Sequence, residues 1–266
     1  MSHLQDWIGR SEVATDIAGA GPLAGLAALL DHESPPGNEL PPLSHWLYFL
    51  QHARQSELGE DGHPKRGGFL PPVQLPRRMW AGGRLTFHAP IAIGAVLERR
   101  STIKDISEKT GTTGNMVFVT VAHEISADGR AAVSEEQDIV FRDMPKSAAP
   151  PAKPEIRAAQ HMRRIVPDPA LLFRFSALTF NAHRIHYDRD YAVNVERYPG
   201  LVVQGPFIAI LLADHYLRHN PRARISQFSF RAQRPLFDTA PFDLCLAGNE
   251  LWTLNEARET TFIATV

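Results

Sequence analysis

"GPFIAILLADHYLRHNP", Gly205 to Pro221, is apolar nearly all round, opens on Gly205-Pro206 and stops at Asn220-Pro221. Proline suits a first helical turn and interrupts a helix elsewhere, so the run reads as one buried helix with both ends marked. Directly after it, "ISQFSFRAQRPLF" (Ile225–Phe237) alternates apolar and polar positions as a strand does. Further β-rich runs follow in "FDLCLAGN" (Phe242–Asn249) and "ETTFIATV" (Glu259–Val266). A helix followed by strands, with no regular β–α alternation, predicts an α+β domain whose sheet wraps a hydrophobic helix.

The same order occurs earlier in the chain. "LSHWLYFLQHARQSELG" (Leu43–Gly59) is helix-like, "GRLTFHAPIAIG" (Gly83–Gly94) alternates, and "MVFVTVAHEIS" (Met116–Ser126) and "AAVSEEQDIVF" (Ala131–Phe141) continue as strands. "LTFHAP" from Leu85 and "FSFRAQRP" from Phe228 are both strands that end at a proline. One pattern met twice suggests an internal duplication. Between the copies, "MPKSAAPPAKPEIRAA" (Met144–Ala159) loses apolar bulk and is broken by prolines, as a linker is. The expected division is 1–145, a linker over 146–160, and 161–266.

Composition narrows the function. The 266 residues are 44% hydrophobic, enough for a substantial core, and the formal charge of -1 is not the basic footprint of a nucleic-acid binder. A single cysteine, Cys245, excludes an intramolecular disulfide and a cysteine-based zinc site, and suits a reducing compartment. No apolar run approaches the roughly 18 residues of a membrane span, and the first residues show no export signal, so a cytoplasmic protein is expected.

The chemistry concentrates in "TFNAHRIHYDRDYA" (Thr179–Ala192), where Asn181, His183, His186 and Asp188 follow closely. Histidine alone has an unperturbed pKa near neutrality, so such a cluster can shuttle protons. His183 and His186 stand three apart, but no glutamate follows the first histidine in a zincin pattern, and a metal is not expected. The bland alternative is a polar loop capping a helix at Arg189–Glu196. Shortly after, "YPGLVVQGPF" (Tyr198–Phe207) places Gly205 at the start of the buried helix. Unpaired amides and a partial positive charge there suit an oxygen that becomes negative during reaction.

These residues, Leu171 to Ala213, closely resemble the MaoC-like hydratases, in particular the branch of mitochondrial-type 3-hydroxyacyl-thioester dehydratases and mesaconyl-, itaconyl- and 3-methylfumaryl-CoA hydratases. "LPRRMWAGGRLTFHAPIAIG" (Leu75–Gly94) is similar to the same branch. The resemblance implies a double hot-dog, two sheets joined edge to edge, with the chemistry in the second copy and a degenerate first copy shaping an acyl pocket. It puts His186 in the place of the catalytic histidine. Asn181 stands where the wider family has aspartate, and His183 where it has asparagine. An amide can orient water but cannot act as acid or base.

The implied reaction is addition or removal of water at the C2=C3 bond of a short, branched or dicarboxylic enoyl-CoA, without a cofactor. Gly205 would meet the thioester oxygen, Asn181 and His186 would hold the water, and His183 would support the loop. Arg77, Arg78, Arg84, Arg231 and Arg234 are candidates for a substrate carboxylate or the phosphates of coenzyme A, since arginine grips such groups in a bidentate fork. Trp46, Trp80 and His88 are candidates for the pocket wall. A 3-hydroxyacyl dehydratase of fatty-acid or polyketide synthesis, acting on carrier protein or CoA, and a non-catalytic acyl-binding protein remain open. A hot-dog thioesterase is disfavoured because no acid precedes Gly205 more closely than Glu196. One site per chain is expected, and a homodimer is possible.

Overall fold

The computed structural model describes residues 3–34, 37–111, 114–144, 154 and 157–266. Its strands form one ten-stranded sheet in the order β1-β3-β4-β5-β2-β7-β10-β9-β8-β6, and the printed pairings are all antiparallel. The first five in that order are β1 (Ser11–Ile17), β3 (Val96–Gly111), β4 (Gly114–Ala127), β5 (Arg130–Arg142) and β2 (Arg77–Phe87). The rest are β7 (Gln227–Ala232), β10 (Thr260–Thr265), β9 (Glu250–Leu254), β8 (Phe242–Ala247) and β6 (His161–Ile165). Read outward from the β2–β7 seam, each side repeats one connectivity: second strand, fifth, fourth, third, first. This is the double hot-dog, and the seam joins the two proline-terminated strands singled out in the sequence.

Register at the seam sets Leu85 opposite Phe228 and Gly83 opposite Phe230. A Cβ at Gly83 would fall 2.6 Å from the Phe230 ring, so glycine is required for the two sheets to close over that aromatic side chain. β2 also bulges between Trp80 and Gly82, which re-aims Trp80 relative to the seam.

Helix α3 (Gly205–His219) is the hydrophobic helix predicted from its sequence, with Phe207 to His215 all buried. The second sheet wraps it, β8, β9, β10 and β2 lying against it, and Phe228, Phe242, Leu244 and Phe262 join it in the main core. Two shorter helices, α1 (Ala20–Leu29) and α2 (Pro169–Leu178), occupy matching places after the first strand of each repeat and touch each other. Asp168 caps α2, its carboxylate accepting the Leu171 N–H at 2.7 Å.

The expected helix over Leu43–Gly59 does not form. Only 3-10 turns occur there, at Ser44–Leu47 and Gln55–Glu57. Leu43 and Phe49 adopt left-handed φ values of 69° and 55°, which interrupt any helix. Side-chain and backbone bonds to other elements hold the segment open: Tyr48 donates to the Gly19 carbonyl, the Phe49 N–H to Asp16, and His45 and Trp46 bond Glu135. The expected helix at Arg189–Glu196 forms as a short helical segment over 189–195, with Tyr191–Val195 in π geometry. Strands β1, β3, β6 and β9 were not singled out by sequence. Of the expected linker, 146–153 and 155–156 lie outside the described residues.

Candidate active site

Where the first repeat lacks a central helix, the space between its sheet and the 43–59 segment is a cavity of about 570 Å³. That size suits a small acyl ligand. It reaches from Arg99, His123 and Glu135 on the first sheet, past Trp46 and Trp80, to Asn181 and Pro206 at the start of α3. The helix end is held in place by Gln204, whose amide donates to the Leu172 carbonyl at 2.9 Å and to Ser176 at 3.0 Å, both on α2. The Gly205 N–H makes no hydrogen bond among the described residues, so an amide donor at the positive end of α3 stands beside the cavity. Neither Gln204 nor its tie to α2 was foreseen from sequence.

The segment 181–188 is a compact turn of hydrogen bonds. Asn181 Oδ1 accepts the His183 N–H at 3.0 Å, which leaves the Asn181 amide hydrogens for the cavity. Asp188 takes Arg184 and the Tyr191 N–H, fixing the loop as a structural residue. His186 is buried, and its Nδ1–H donates to the Val202 carbonyl at 2.7 Å, three residues before Gly205. That bond selects the tautomer with a lone pair on Nε2. Burial pushes the His186 pKa down to about 4, the Val202 bond opposing it, so the ring is a neutral acceptor at physiological pH.

His183 is buried edge-on to His186, with centroids 5.2 Å apart, and burial together with neighbouring histidines holds it far below the usual histidine range. On its other side lies a ring that sequence reasoning passed over. His63 sits 4.0 Å from His183 and bonds Asp61, Nδ1 to Oδ2, at 2.9 Å. Both belong to the first repeat's long loop, "GEDGHPKRGG" (Gly59–Gly68). The available signal was the Asp-x-His spacing between glycines, which lets a carboxylate fold back onto the next ring. His63 lines the cavity, whereas His183 and His186 form the layer behind it.

Asp61, His63 and His183 bring ligand atoms within 4.8 Å of one another. The nearby Arg78 charge opposes a cation there. The rings are tilted by 40° in a near-stack, a poor arrangement for convergent ligands.

The five arginines sort sharply. Arg77 is bound to Glu196 at 2.9 Å, with its guanidinium over the Tyr198 ring. Arg84 is engaged by Glu136 and Asp138 on the neighbouring strand. Arg231 is exposed on β7, and Arg234 follows that strand, its N–H given to Thr261; neither lines the cavity. Adjacent strand residues face opposite ways, so Arg78 differs from Arg77. It lines the cavity, its side chain makes no hydrogen bond or salt bridge among the described residues, and its pKa is lowered mainly by burial, with Asp61 opposing. His88 does not line the cavity; Trp46 and Trp80 do, packed edge to face at 4.8 Å.

The far wall is polar as well. Glu135 is buried and accepts hydrogen bonds from His45, Trp46 and Gln137; burial alone would raise its pKa, but these bonds keep it lowered. Beside it, His123 Nε2 and Arg99 Nε are enclosed without partners.

The cavity lies between the first five strands of the sheet and the start of α3, with Asn181 in its wall. A family model described as hydroxyacyl-thioester dehydratase type 2 matches residues 43–238. The chain belongs to this family. It is 50% identical over 252 residues to the mesaconyl-C(4)-CoA hydratase of Chloroflexus aurantiacus, covering 91% of this chain and 88% of that protein. It is 28% identical to the mitochondrial hydroxyacyl-thioester dehydratase type 2 of Schizosaccharomyces pombe, covering 80% of each. A MaoC-like dehydratase from Phytophthora capsici superimposes with a TM-score of 0.71 at 12% identity, over 98% of this chain and 97% of that one, which shows the shared fold. A member of this dehydratase family with these relatives is an enzyme, a hydro-lyase. No helix among the described residues is long and apolar enough to cross a membrane.

Proposed function

We propose that the protein hydrates the C2=C3 bond of a short dicarboxylic enoyl-CoA of the mesaconyl-, itaconyl- or 3-methylfumaryl-CoA type. The observation that carries this reading is Arg78, a half-buried guanidinium on the cavity wall whose side chain has no hydrogen-bond or salt-bridge partner among the described residues, Asp61 acting on it only through space. A burial of this kind is costly unless an anion completes it, and a substrate carboxylate is that anion. The polar far wall of Arg99, His123, Gln137 and Glu135 also disfavours a long alkyl chain. The relation to the Chloroflexus aurantiacus mesaconyl-C(4)-CoA hydratase supports the same substrate class.

The thioester oxygen lies against the Gly205 N–H, where the enolate charge is stabilised. Asn181 on the cavity wall donates to a water over the β-carbon, and His186, which stands behind the lining, reaches that water with Nε2 only where the water sits past Asn181, taking its proton there as the oxygen attacks. His183 supports the ring. The two repeats, 1–145 and 161–266, divide the work, the first shaping the acyl pocket. A single cysteine accords with the reducing cytoplasm that we assign to the protein.

The test is hydration of 3-methylfumaryl-CoA, itaconyl-CoA and crotonyl-CoA by the wild type and by H186Q. The dicarboxylic substrates should be preferred, and H186Q should lose about 10²- to 10⁴-fold in kcat. An H186Q enzyme that hydrates at the wild-type rate overturns the mechanism.

A further inference from the structure

Asp61 and His63 have no part in the mechanism above, yet His63 is the ring of the 63–183–186 stack that meets the cavity. Its Nδ1–H is given to Asp61, so its Nε2 is the atom left for a ligand. The loop carrying it is locked to the segment that bears Asn181 and His186. The Arg184 N–H donates to the Asp61 carbonyl at 2.9 Å, and Arg184 Nη1 to the Glu60 carbonyl at 3.1 Å. Gly62 between them has φ +87° and packs so closely that a Cβ would lie 1.9 Å from the Ala182 carbonyl oxygen. The first repeat therefore delivers His63 to the second repeat's site as part of one rigid unit.

The three rings differ in what can stabilise their charged form. His186 has a neutral carbonyl, Val202, and His183 has only ring neighbours. His63 alone has a carboxylate, and a charge-assisted bond is roughly twice as strong as a neutral one. The other charged or titratable groups around His63 are Arg66 on its own loop, Arg78 on β2, and His183 and His186 on the facing segment. Burial is the strongest influence on His63 and holds its pKa below the ordinary histidine value, with the Asp61 bond opposing it, Arg66 adding to it, and Arg78 working against an imidazolium. A substrate carboxylate on Arg78 would cancel that charge and so favour the protonated dyad in the complex.

Resting on the hydratase reading, we propose that His63, backed by Asp61, is a second catalytic residue, which exchanges the proton of the α-carbon while His186 serves the water at the β-carbon. In hydration the water oxygen bonds to C3 and one water proton passes to His186 Nε2, while the C2=C3 pair moves toward the thioester carbonyl as an enolate. The enolate pair then forms the C2–H bond with the proton of His63 Nε2. After product release His186 gives its proton to solvent and His63 takes one from solvent, so the net change is one added water. In dehydration neutral His63 removes the C2 proton, the pair re-forms C2=C3, and the hydroxyl leaves C3 with a proton from His186.

The experiment separates this α-carbon role from hydration itself. The full chain is incubated in D2O with methylsuccinyl-CoA or butyryl-CoA, saturated thioesters that can exchange a C2 proton but cannot be hydrated, and deuterium uptake is read by mass spectrometry. The wild type should exchange the C2 proton, and H63Q and D61N should each exchange about 10²-fold more slowly or less. Thermal melting checks that both variants are folded, and D61N leaves the imidazole in place. Exchange by H63Q at the wild-type rate overturns the proposal, as does a wild type that hydrates enoyl-CoA without exchanging either saturated thioester. Failure of the parent reading looks different: the wild type would then hydrate no member of the enoyl-CoA panel.

Discussion

Replacing Arg78 with methionine keeps an unbranched side chain of similar reach and removes the charge. Arg78 and Trp80 both line the cavity, and the Trp80 carbonyl lies 3.6 Å from the position of a Cβ on Gly205. Two residues of strand span about 7 Å. A thioester anchored on the Gly205 amide therefore points a second carboxylate of a four-carbon chain toward the guanidinium. At about 4 Å and an effective dielectric near 20, the Coulomb attraction is about 4 kcal/mol. A hydrogen bond to a charged group contributes about 1.5–3 kcal/mol net. After desolvation the lower figure governs, and R78M should lose about 2–3 kcal/mol of binding in the transition state for a dicarboxylic substrate, or about 30- to 150-fold in kcat/KM. Crotonyl-CoA, with no second carboxylate, should keep its kcat/KM within about threefold, because methionine leaves no buried charge uncompensated. The assay is initial-rate hydration of 3-methylfumaryl-CoA and crotonyl-CoA, followed by loss of enoyl-thioester absorbance. An equal loss on both substrates, or no loss on either, refutes the assignment of Arg78 to the distal carboxylate.

Arg77 should behave in the opposite way: R77M strands the partly buried Glu196 carboxylate and should lower stability by about 1–3 kcal/mol, measured by urea unfolding, with no change in the dicarboxylic-to-crotonyl ratio. G62A should weaken hydration of every substrate, and lower the melting temperature, because the Ala182 carbonyl must move away and take the Asn181 turn with it. The His186 pKa falls from an unfolded value of 6.5 to about 4, so the unfolded chain binds its proton first. The neutral ring's stability is then complete above pH 6.5 and declines as pH falls toward 4, by about 3 kcal/mol for this group, levelling below. Denaturant titrations from pH 7 to pH 4 should show that slope reduced in H186Q.

The dominant helix and the motif beside it could be read directly from the chain, because their signals are local. Gly205 to Asn220 needs nothing but its own apolar run and its prolines to be recognised as buried helix, and the paired strands ending at Pro90 and Pro235 announce the repeat by likeness alone. Asn181, His183 and His186 stand out because they are close in sequence. The failure at Leu43–Gly59 has the same root. Its apolar spacing is helical, but bonds to Asp16, Gly19 and Glu135, all distant in sequence, hold it as turns and so create the cavity where a helix would stand.

What only the tertiary structure decided is which groups share that cavity. Nothing local separates Arg77 from Arg78; the pleat turns them to opposite faces, and Glu196, 119 positions away, occupies one of them. Nothing local brings His63 to His183 either. Their meeting depends on a glycine at residue 62 without a Cβ, on the Arg184 bonds across the repeats, and on the β2–β7 seam that holds the two sheets as one. Composition and periodicity specify elements, because each element satisfies its own backbone and buries its own face. A site assembled from two repeats exists only once the sheet has closed, when residues far apart in the chain become neighbours.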